Sequence, residues 1–470
     1  MADFTNNPYF ELFSKQKENQ HYVAQRSYNL RIKSLNALQR AVEITYRAQI
    51  SEALYKDLRK PTVESEMSEI YQIIGDIKYA KTYLHKWMRK QKVKTPLSML
   101  GSSSYAIYEP KGVCLIISPW NFPFNLTFGP LVSSIAAGNT VIIKPSEITP
   151  HSSALMAKIV ADVFTEDEVA LIEGEVAVST ELLKLPFNHI FFTGSPQVGK
   201  IVMTAAAKNL ASVTLELGGK SPTVIDKTAN IDMAAKKIVW GKYLNAGQIC
   251  IAPDYVLIDE SIKPEFVEAC KKWIQQFYTE QPEHSNSYAR IVTNKHFERL
   301  KSHIENAKTL DAQIEVGGQL NSDSKYIAPT IVSNLSEEAS LLQEEIFGPI
   351  LPIVTFTTLD EAVDYINAKE RPLALYIYSK SKVNTNKVIQ NTRAGGTCIN
   401  NNIIHYANHN LPFGGTNNSG IGKSHGFYGF EAFSNKRAVV KQHTFGLTEL
   451  LFPPYNGYKE KMARFTIKWF

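Results

Sequence analysis

The sequence predicts an α/β fold made of two units with a cleft between them. Short runs of consecutive apolar residues, 113–117 and 140–143, have the length and composition of strands buried on both faces. A helical stretch, 126–137, lies between them, and this alternation is typical of a parallel sheet covered by helices. A second series of strands and helices runs from Lys220 to about Gly420. At 470 residues the chain exceeds one ordinary core, so two or three domains are expected.

The other elements follow from periodicity and turn composition. Residues 11–91 are predicted to be helical, because apolar residues such as Ile70, Ile73 and Ile77 recur at three- and four-residue spacing. The Ser- and Thr-rich stretch 92–108 predicts an extended hairpin. Further predicted elements are a strand at 189–192, a helix at 199–210, a strand at 213–216, and strands near 350–356 and 373–378.

Composition favours a soluble protein of a reducing compartment. The net charge of +6 comes from interspersed residues without a long basic run, so no nucleic-acid partner is expected. The four cysteines are far apart and show no metal-ligand spacing, which argues against both a disulfide framework and a metal site. No secretory signal and no membrane-spanning run is visible. We therefore expect a cytoplasmic location.

Cys250 is the first candidate functional residue. It lies between a helical stretch and the apolar run 256–258, at a corner rich in small residues that a substrate could approach. A free cysteine is more commonly a small buried hydrophobe, and catalytic use requires an environment that tunes its thiolate. Taken alone, Cys250 leaves both interpretations open.

Polar and glycine-containing turns follow several of the predicted strands. The turn 193–199 places Gly194 and Gly199 between a strand and a helix, where main-chain N–H groups can meet a dinucleotide phosphate. Its spacing differs from the usual GxGxxG pattern, and many such turns bind nothing.

Charged or amide residues end three other strands. Lys144 and Glu147 can hydrogen-bond ribose hydroxyls or form a solvated turn. Asn121 can donate its amide into a cleft or cap a turn. Glu216 can act as a general base beside a nucleophilic thiol, or it can be an exposed strand-end charge.

Together these segments resemble the aldehyde dehydrogenase superfamily, and most of all its class 3 and fatty aldehyde dehydrogenase branch, including bacterial members. The resemblance covers nearly the whole chain, with the motifs in the family's order. The matching segments are 119–126 (PWNFPFNL), 143–147 (IKPSE), 214–222 (TLELGGKSP), 247–255 (GQICIAPDY), 344–349 (EEIFGP) and 412–415 (PFGG).

The resemblance implies NAD(P)-dependent oxidation of an aldehyde to its carboxylic acid. Cys250 is then the nucleophile that forms a thiohemiacetal and a thioester. Asn121 and the Cys250 main-chain N–H are expected to hold the oxyanion, and Glu216 to activate the hydrolytic water.

The resemblance also implies a cofactor site. Glu147 would accept hydrogen bonds from a free 2′-hydroxyl and repel a 2′-phosphate, so NAD is favoured and NADP is possible. The expected cofactor-binding residues are Trp120, Lys144, Ser146, Glu147, Thr193, Gly194, Ser195, Val198, Gly199, Leu217, Glu345 and Phe347.

An aldehyde dehydrogenase-like fold further implies a Rossmann-type cofactor domain, an α/β catalytic domain and a small β oligomerisation arm. The cofactor domain is expected at 1–91 and 111–216 and the catalytic domain at 217–425. The arm is expected at 92–110 and 426–450, followed by a C-terminal tail at 451–470. Class 3 relatives suggest a homodimer.

The substrate is expected to be an apolar aliphatic, aromatic or terpenoid aldehyde. The aromatic residues expected to line its pocket are Tyr71, Trp120, Phe122, His405, Tyr406 and Phe413. Two rivals stay open: a CoA-acylating dehydrogenase or acyl-phosphate reductase, and a non-catalytic protein that keeps the fold. The first class does without a base such as Glu216, and the second usually loses the cysteine or the glutamate.

The tail is predicted to be an amphipathic helix. Met462, Phe465 and Trp469 share one helical face, and the rest of the segment is basic. Such a helix can pack on the substrate funnel or the partner subunit, or contact an anionic membrane surface as a peripheral anchor.

Overall fold

In the computed structural model, which describes residues 4–444 and 446–469, the chain begins with a group of helices. This confirms the helical prediction for residues 11–87, whereas the predicted helical stretch to 91 is too long because a strand begins at Gln91. Two π-helical segments, Ala41–Thr45 and Glu66–Ile70, join neighbouring helices of the group. The helices are α1 (Phe10–Ala24), α2 (Tyr28–Arg40), α3 (Arg47–Leu58), α4 (Thr62–Ser65) and α5 (Tyr71–Trp87).

A β-hairpin follows the helices, as the sequence predicts. It consists of β1 (Gln91–Val93) and β2 (Ser102–Pro110), which pair antiparallel.

The first large sheet is parallel at its centre, in the strand order β7-β6-β3-β4-β5. Its strands β3 and β4 are buried on both faces, which explains their uninterrupted apolar sequences. Its elements are β3 (Val113–Ile117), α6 (Asn125–Ala137), β4 (Thr140–Lys144), α7 (Pro150–Val163), β5 (Val169–Leu171), α8 (Val176–Leu182), β6 (His189–Gly194), α9 (Pro196–Ala207) and β7 (Ser212–Leu217).

Helix α9 corrects the sequence prediction of a helix at 199–210, which is wrong at both ends. The Ser195 side chain caps the helix by accepting a hydrogen bond from the Val198 main-chain N–H. Pro196 occupies the first helical position, where its fixed φ and missing N–H cost nothing. The helix therefore begins directly after the strand, and its amino terminus faces the end of the sheet.

A second sheet has the strand order β10-β13-β14-β9-β8-β15-β16 and is parallel except at β10. The predicted strands near 350–356 and 373–378 are confirmed as two of its members. Its elements are β8 (Pro222–Ile225), α10 (Ile231–Tyr243), β9 (Tyr255–Asp259), α11 (Lys263–Tyr278), α12 (Asn294–Thr309), β10 (Gln313–Val316), the small hairpin β11 (Leu320–Asn321) and β12 (Tyr326–Ile327), β13 (Thr330–Ser333), α13 (Ser340–Gln343), β14 (Ile350–Phe356), α14 (Leu359–Asn367), β15 (Ala374–Tyr378), α15 (Lys382–Asn391) and β16 (Gly396–Ile399).

The C-terminal elements return to the first sheet and the hairpin. They are β17 (Gly420–Ile421), α16 (Gly426–Ala432), β18 (Ser434–Gln442) and α17 (Gly457–Trp469). β17 pairs antiparallel with β7, and β18 pairs antiparallel with β2 along its whole length. The resulting sheet β1-β2-β18 unites the two segments expected to form the arm. The domain boundaries given above stay predictions.

Single 3-10 turns complete the fold, at Leu97–Met99, Leu244–Gly247, Glu260–Ile262, Pro282–His284, Ile404–Ala407 and Leu447–Leu451. Within the described ranges, no helix combines the length and the apolar character that crossing a bilayer requires.

Candidate active site

A cavity of about 270 Å³ contains all three predicted catalytic residues: Asn121, Glu216 and Cys250. Asn121 follows β3, Glu216 lies near the end of β7, and Cys250 lies between α10 and β9. Because β3 and β7 run parallel in one sheet, their carboxyl ends meet at the same edge. The cavity therefore forms where this edge faces the loop that carries the thiol.

The loop before Cys250 has an unusual backbone. Asn245, Ala246 and Gly247 all have positive φ values of 49°, 51° and 75°. At Gly247 a Cβ atom would collide with the main-chain carbonyl of Gly348, so the position also requires glycine for space. These three residues turn the chain sharply between α10 and the thiol.

The buried side chain of Gln248 holds the turned loop in place. Its amide nitrogen donates to the main-chain oxygens of Asn245 at 2.9 Å and Arg290 at 3.0 Å. Its amide oxygen accepts from the Val292 main-chain N–H at 3.0 Å. The loop is thereby fixed to the second unit two residues before Cys250.

Cys250 is half-buried, whereas Cys114, Cys270 and Cys398 are buried. Burial, together with the nearby carboxylates of Glu345 and Glu216, raises the pKa of the Cys250 thiol to about 12. The resting sulfur is therefore a thiol at neutral pH.

The Asn121 side chain is held by the loop that leads to Cys250. Its amide nitrogen donates to the Gln248 main-chain oxygen at 3.0 Å, and the residue is only 3% exposed. A primary amide nitrogen carries two hydrogens, so a second donor is available to a ligand in the cavity. The Asn121 main-chain oxygen accepts from Lys60 Nζ and from Asn245 Nδ2, both at 3.0 Å.

Glu216 is a buried carboxylate with one oxygen to spare. Its Oε1 accepts a hydrogen bond from Ser424 Oγ at 2.8 Å, while Oε2 is buried without a hydrogen-bond partner. Burial raises the pKa of Glu216 to about 7, against the lowering effect of Ser424 and of the Lys423 charge. Near neutral pH this group can therefore both accept and release a proton.

The predicted phosphate turn lies at the same edge of the sheet. Thr193, Gly194 and Ser195 line the cavity, and they lead into the amino terminus of α9. A Cβ atom at Gly199 would approach a methyl group of Leu217 to 2.7 Å, so the glycine permits close packing of α9 on β7. A helix amino terminus beside a glycine-containing turn is suited to a dinucleotide phosphate.

The predicted ribose site lies farther along this edge, after β4. The Lys144 ammonium forms an ion pair with the Glu147 carboxylate at 2.7 Å, with Lys144 almost fully buried. The buried Ser146 hydroxyl accepts from the Ile148 main-chain N–H at 3.3 Å and shapes the turn. These residues and Val198 do not belong to the cavity lining.

Glu345 and Phe347 line the cavity from the second unit, and Leu217 and Trp120 do so from the first. The rings of Trp120 and Phe347 meet edge to face at 5.3 Å. Burial raises the pKa of Glu345 to about 8, and the charge of Asp254 adds to this.

Two residues that the sequence analysis missed, His296 and Arg299, also line the cavity. Both lie on α12, and the His296 ring is 5.1 Å from that of Trp120. Their three-residue spacing places them on one helical face. This helix lies outside the six segments that resemble the aldehyde dehydrogenase superfamily.

The expectation for the aromatic pocket is only partly met. Trp120, Tyr406 and Phe413 line the cavity, and the lining also includes Asp76, Ser424 and His425. Tyr71, Phe122 and His405 do not belong to it. Tyr71 points to the surface at 55% exposure, and the Phe122 ring is covered by the Lys60 ammonium at 4.1 Å. Among the residues that the structure describes, no cluster of His, Cys, Asp and Glu is suited to hold a metal ion.

Sequence comparisons with known proteins all find aldehyde dehydrogenases. The sequence profile of the aldehyde dehydrogenase family matches residues 3–439. The 4,4'-diaponeurosporen-aldehyde dehydrogenase of Staphylococcus aureus is 42% identical over 92% of this chain and 93% of its own length. The dimeric, NADP-preferring aldehyde dehydrogenase of Mus musculus is 43% identical over 88% of this chain and 90% of its own.

The fold comparison agrees with the sequence comparison. The structure of Staphylococcus aureus AldH in its substrate-bound state superposes with a TM-score of 0.94. It is 40% identical and covers 98% of this chain and 100% of the other.

The raised thiol pKa leads to a test on the cofactor-free protein. Iodoacetamide should alkylate Cys250 slowly at pH 7, and the rate should rise about tenfold per pH unit between pH 8 and 10, because only the thiolate reacts. Peptide mass spectrometry reports the site, and Cys250→Ser is the control for the three buried thiols. A rate that already levels off between pH 9 and 10 would show that the pKa is not raised.

Proposed function

The chain belongs to the aldehyde dehydrogenase family, and from this premise we propose which of its residues carry out the oxidation and on which aldehydes. The family reaction is the oxidation of an aldehyde to a carboxylic acid with NAD or NADP. The observation that carries the assignment is the single cavity that holds the Cys250 thiol, the Asn121 amide and the unpartnered Glu216 oxygen.

Cys250 attacks the aldehyde carbonyl carbon and forms a thiohemiacetal. As the S–C bond forms, the thiol gives up its proton, and Glu216 has the free carboxylate oxygen to accept it. The negative charge moves to the former carbonyl oxygen. The remaining Asn121 N–H and the Cys250 main-chain N–H are the donors that stabilise it, each contributing roughly 3 kcal/mol.

Glu216 then supports hydrolysis of the thioester. Its pKa of about 7 allows it to return the first proton to solvent and to take a second one from the attacking water. This step separates the proposal from the rival acylating enzymes, which transfer the acyl group to CoA or phosphate. A general base buried beside the thiol favours release of the free acid.

The residues expected to bind the cofactor are suited to a dinucleotide. The amino terminus of α9 can hold the pyrophosphate, and Val198 and Ile201 on this helix present exposed apolar side chains next to it. Lys144 and Glu147 can hold a ribose, and Glu345 and Phe347 face the reaction cavity. When bound, NAD or NADP accepts the hydride that the thiohemiacetal carbon loses.

We propose an apolar aldehyde as the substrate, of aliphatic, aromatic or terpenoid type. Trp120, Leu126, Leu373, Tyr406 and Phe413 give the cavity a largely apolar wall. The bacterial relative named above acts, by its name, on 4,4'-diaponeurosporen-aldehyde.

A homodimer is proposed from the open edges of two sheets. In the described residues, β16 and β18 each pair on one side only, and Ile399 and Val440 on them are about half exposed. Unpaired edges with apolar side chains are usually covered. β18 of one subunit can extend the partner's sheet at β16, and the mouse relative is named as dimeric.

The tail helix α17 is proposed to pack on protein, in a cytoplasmic enzyme. Met462 and Ala463 on it are half-buried, while Phe465 is 60% exposed. The side chain of Trp469, which belongs to the predicted apolar face, lies outside the described residues. We propose that the exposed part of this face packs on a second subunit.

Glu216→Gln should separate hydride transfer from turnover. With decanal and NAD we expect a burst of NADH that still approaches one per subunit but forms more slowly than in the wild type, because the thiol has lost its proton acceptor. The steady rate should be at least about a hundredfold lower, because the thioester cannot be hydrolysed. In the wild type, the deacylation rate should rise with pH through about 7, as Glu216 loses its proton. Cys250→Ser should abolish the burst. A wild type that turns over steadily only when CoA is added would instead support an acylating enzyme.

Glu147→Gln should shift coenzyme preference. Loss of the carboxylate removes repulsion of a 2′-phosphate and frees Lys144 to pair with it. The ratio of kcat/KM for NADP to that for NAD should rise about tenfold, with kcat for NAD changing little. An unchanged ratio would show that Glu147 does not face the 2′ position.

Light scattering at micromolar concentration tests the dimer. The mass should be twice the chain mass of 52.8 kDa. Ile399→Lys should shift it to a single chain, because a charge would be buried at the proposed edge contact. Leu210→Lys, at a 93% exposed position of the first unit, is the matched control and should stay dimeric. A monomeric wild type would rule out this assembly.

Vesicle co-sedimentation tests the tail. The full chain should stay in the supernatant with vesicles of phosphatidylcholine and phosphatidylserine, because its apolar face is covered by protein. Binding that is lost when residues 458–470 are deleted would support a peripheral membrane anchor instead.

A further inference from the structure

A buried ion pair outside the reaction cavity contacts the loop that carries Asn121. The side chains of Lys60 and Glu69 are both 0% exposed, and Nζ lies 2.7 Å from Oε1. Neither residue lines the cavity. Burying two charges is costly, and an apolar pair of similar volume is often as stable. Stability alone therefore gives no reason for charges at this place.

The ion pair holds both ends of the segment 121–125. Lys60 Nζ also donates to the main-chain oxygen of Asn121 at 3.0 Å. The second oxygen of Glu69 accepts from the main-chain N–H of Asn125 at 2.9 Å. The Lys60 ammonium lies 4.1 Å from the centre of the Phe122 ring, between these two contacts.

Residues 60–69, which include both members of the ion pair, also contact the loop before Cys250. Glu64 Oε2 accepts from the main-chain N–H of Asn245 at 3.0 Å. The side-chain amide of Asn245 in turn donates to the Asn121 main-chain oxygen and, at 3.2 Å, to that of Gln248. Residues 60–69 thus bring together the loop that carries Asn121 and the loop that precedes Cys250, which come from different parts of the sequence.

We propose that Lys60 and Glu69 are positioning residues that aim the Asn121 amide at the oxyanion. The Asn121 main-chain oxygen accepts two hydrogen bonds, which uses both of its lone pairs and fixes the direction of the backbone. Its side-chain amide has one hydrogen committed to Gln248, and the direction of the other depends on that backbone. A displacement of about 1 Å at such a donor can cost about a hundredfold in rate. This inference rests on the proposed role of Asn121.

The test is a double-mutant cycle with a variant that removes both charges together. Lys60→Met/Glu69→Leu removes both members of the ion pair together, so neither is left as an unpaired buried charge. We therefore expect it to fold and to bind NAD as the wild type does, by thermal unfolding and fluorescence quenching. Single-turnover NADH formation with decanal should fall about 10- to 100-fold, with KM for NAD unchanged. The acylation of Cys250 by p-nitrophenyl acetate, which needs no cofactor, should fall in parallel.

The decisive comparison is with the same pair of substitutions in Asn121→Ala. In that background the two substitutions should lower the rates of NADH formation and of acylation by less than about twofold further, because the Asn121 amide that they would misplace is absent. An equal loss in both backgrounds, or full activity of Lys60→Met/Glu69→Leu, would overturn the inference. If Asn121→Ala alone keeps the wild-type rate, the oxyanion role itself is wrong. Lys56→Met/Glu52→Leu, which removes an exposed ion pair on α3, is the matched control and should change neither rate.

Discussion

The sharp turn at Asn245–Gly247 is the constraint on which the rest of the active site depends. A non-glycine residue in the left-handed region costs about 1–2 kcal/mol, and two such residues precede Gly247. Their cost is offset by the hydrogen bonds that the turn makes possible, in which Asn245 and Gln248 connect the thiol loop to Asn121 and to the second unit. A relaxed loop would separate the Cys250 thiol from the Asn121 amide. The strain is located where two units of the fold must meet to build one site.

Burial decides the electrostatics of this site more than any single charge pair does. Three acidic groups line one cavity, and burial shifts the pKa of each towards its neutral form: Glu216 to about 7, Glu345 to about 8 and Cys250 to about 12. The different shifts assign different tasks, because the group that titrates near neutral pH is suited to move protons while the thiol stays protonated until a carbonyl arrives.

Much of this arrangement could be predicted from the sequence, because most motifs lie at strand ends. In a parallel sheet the carboxyl ends of strands share one edge, so Asn121, Thr193 and Glu216 could be placed together without knowledge of distances. The start of α9 was missed because the prediction did not recognise Ser195 and Pro196 as its cap and first position. His296 and Arg299 were missed because their helix approaches the cavity only through tertiary packing. The contacts of Lys60 and Glu69 with the loop that carries Asn121 are also long-range, and no local pattern marks them. Tyr71 and Phe122 show the converse, since aromatic character alone does not tell which face of an element meets the cavity.

In the proposed mechanism the aldehyde carbon becomes covalently bound to the Cys250 sulfur, and the water that Glu216 activates releases it. Intact-mass and peptide mass spectrometry of Glu216→Gln, quenched in acid after one turnover with decanal and NAD, tests this directly. We expect the mass gain of one decanoyl group per chain, located on the peptide that contains Cys250. An unmodified Cys250 peptide after NADH has formed, or an acyl group on another residue, would contradict it.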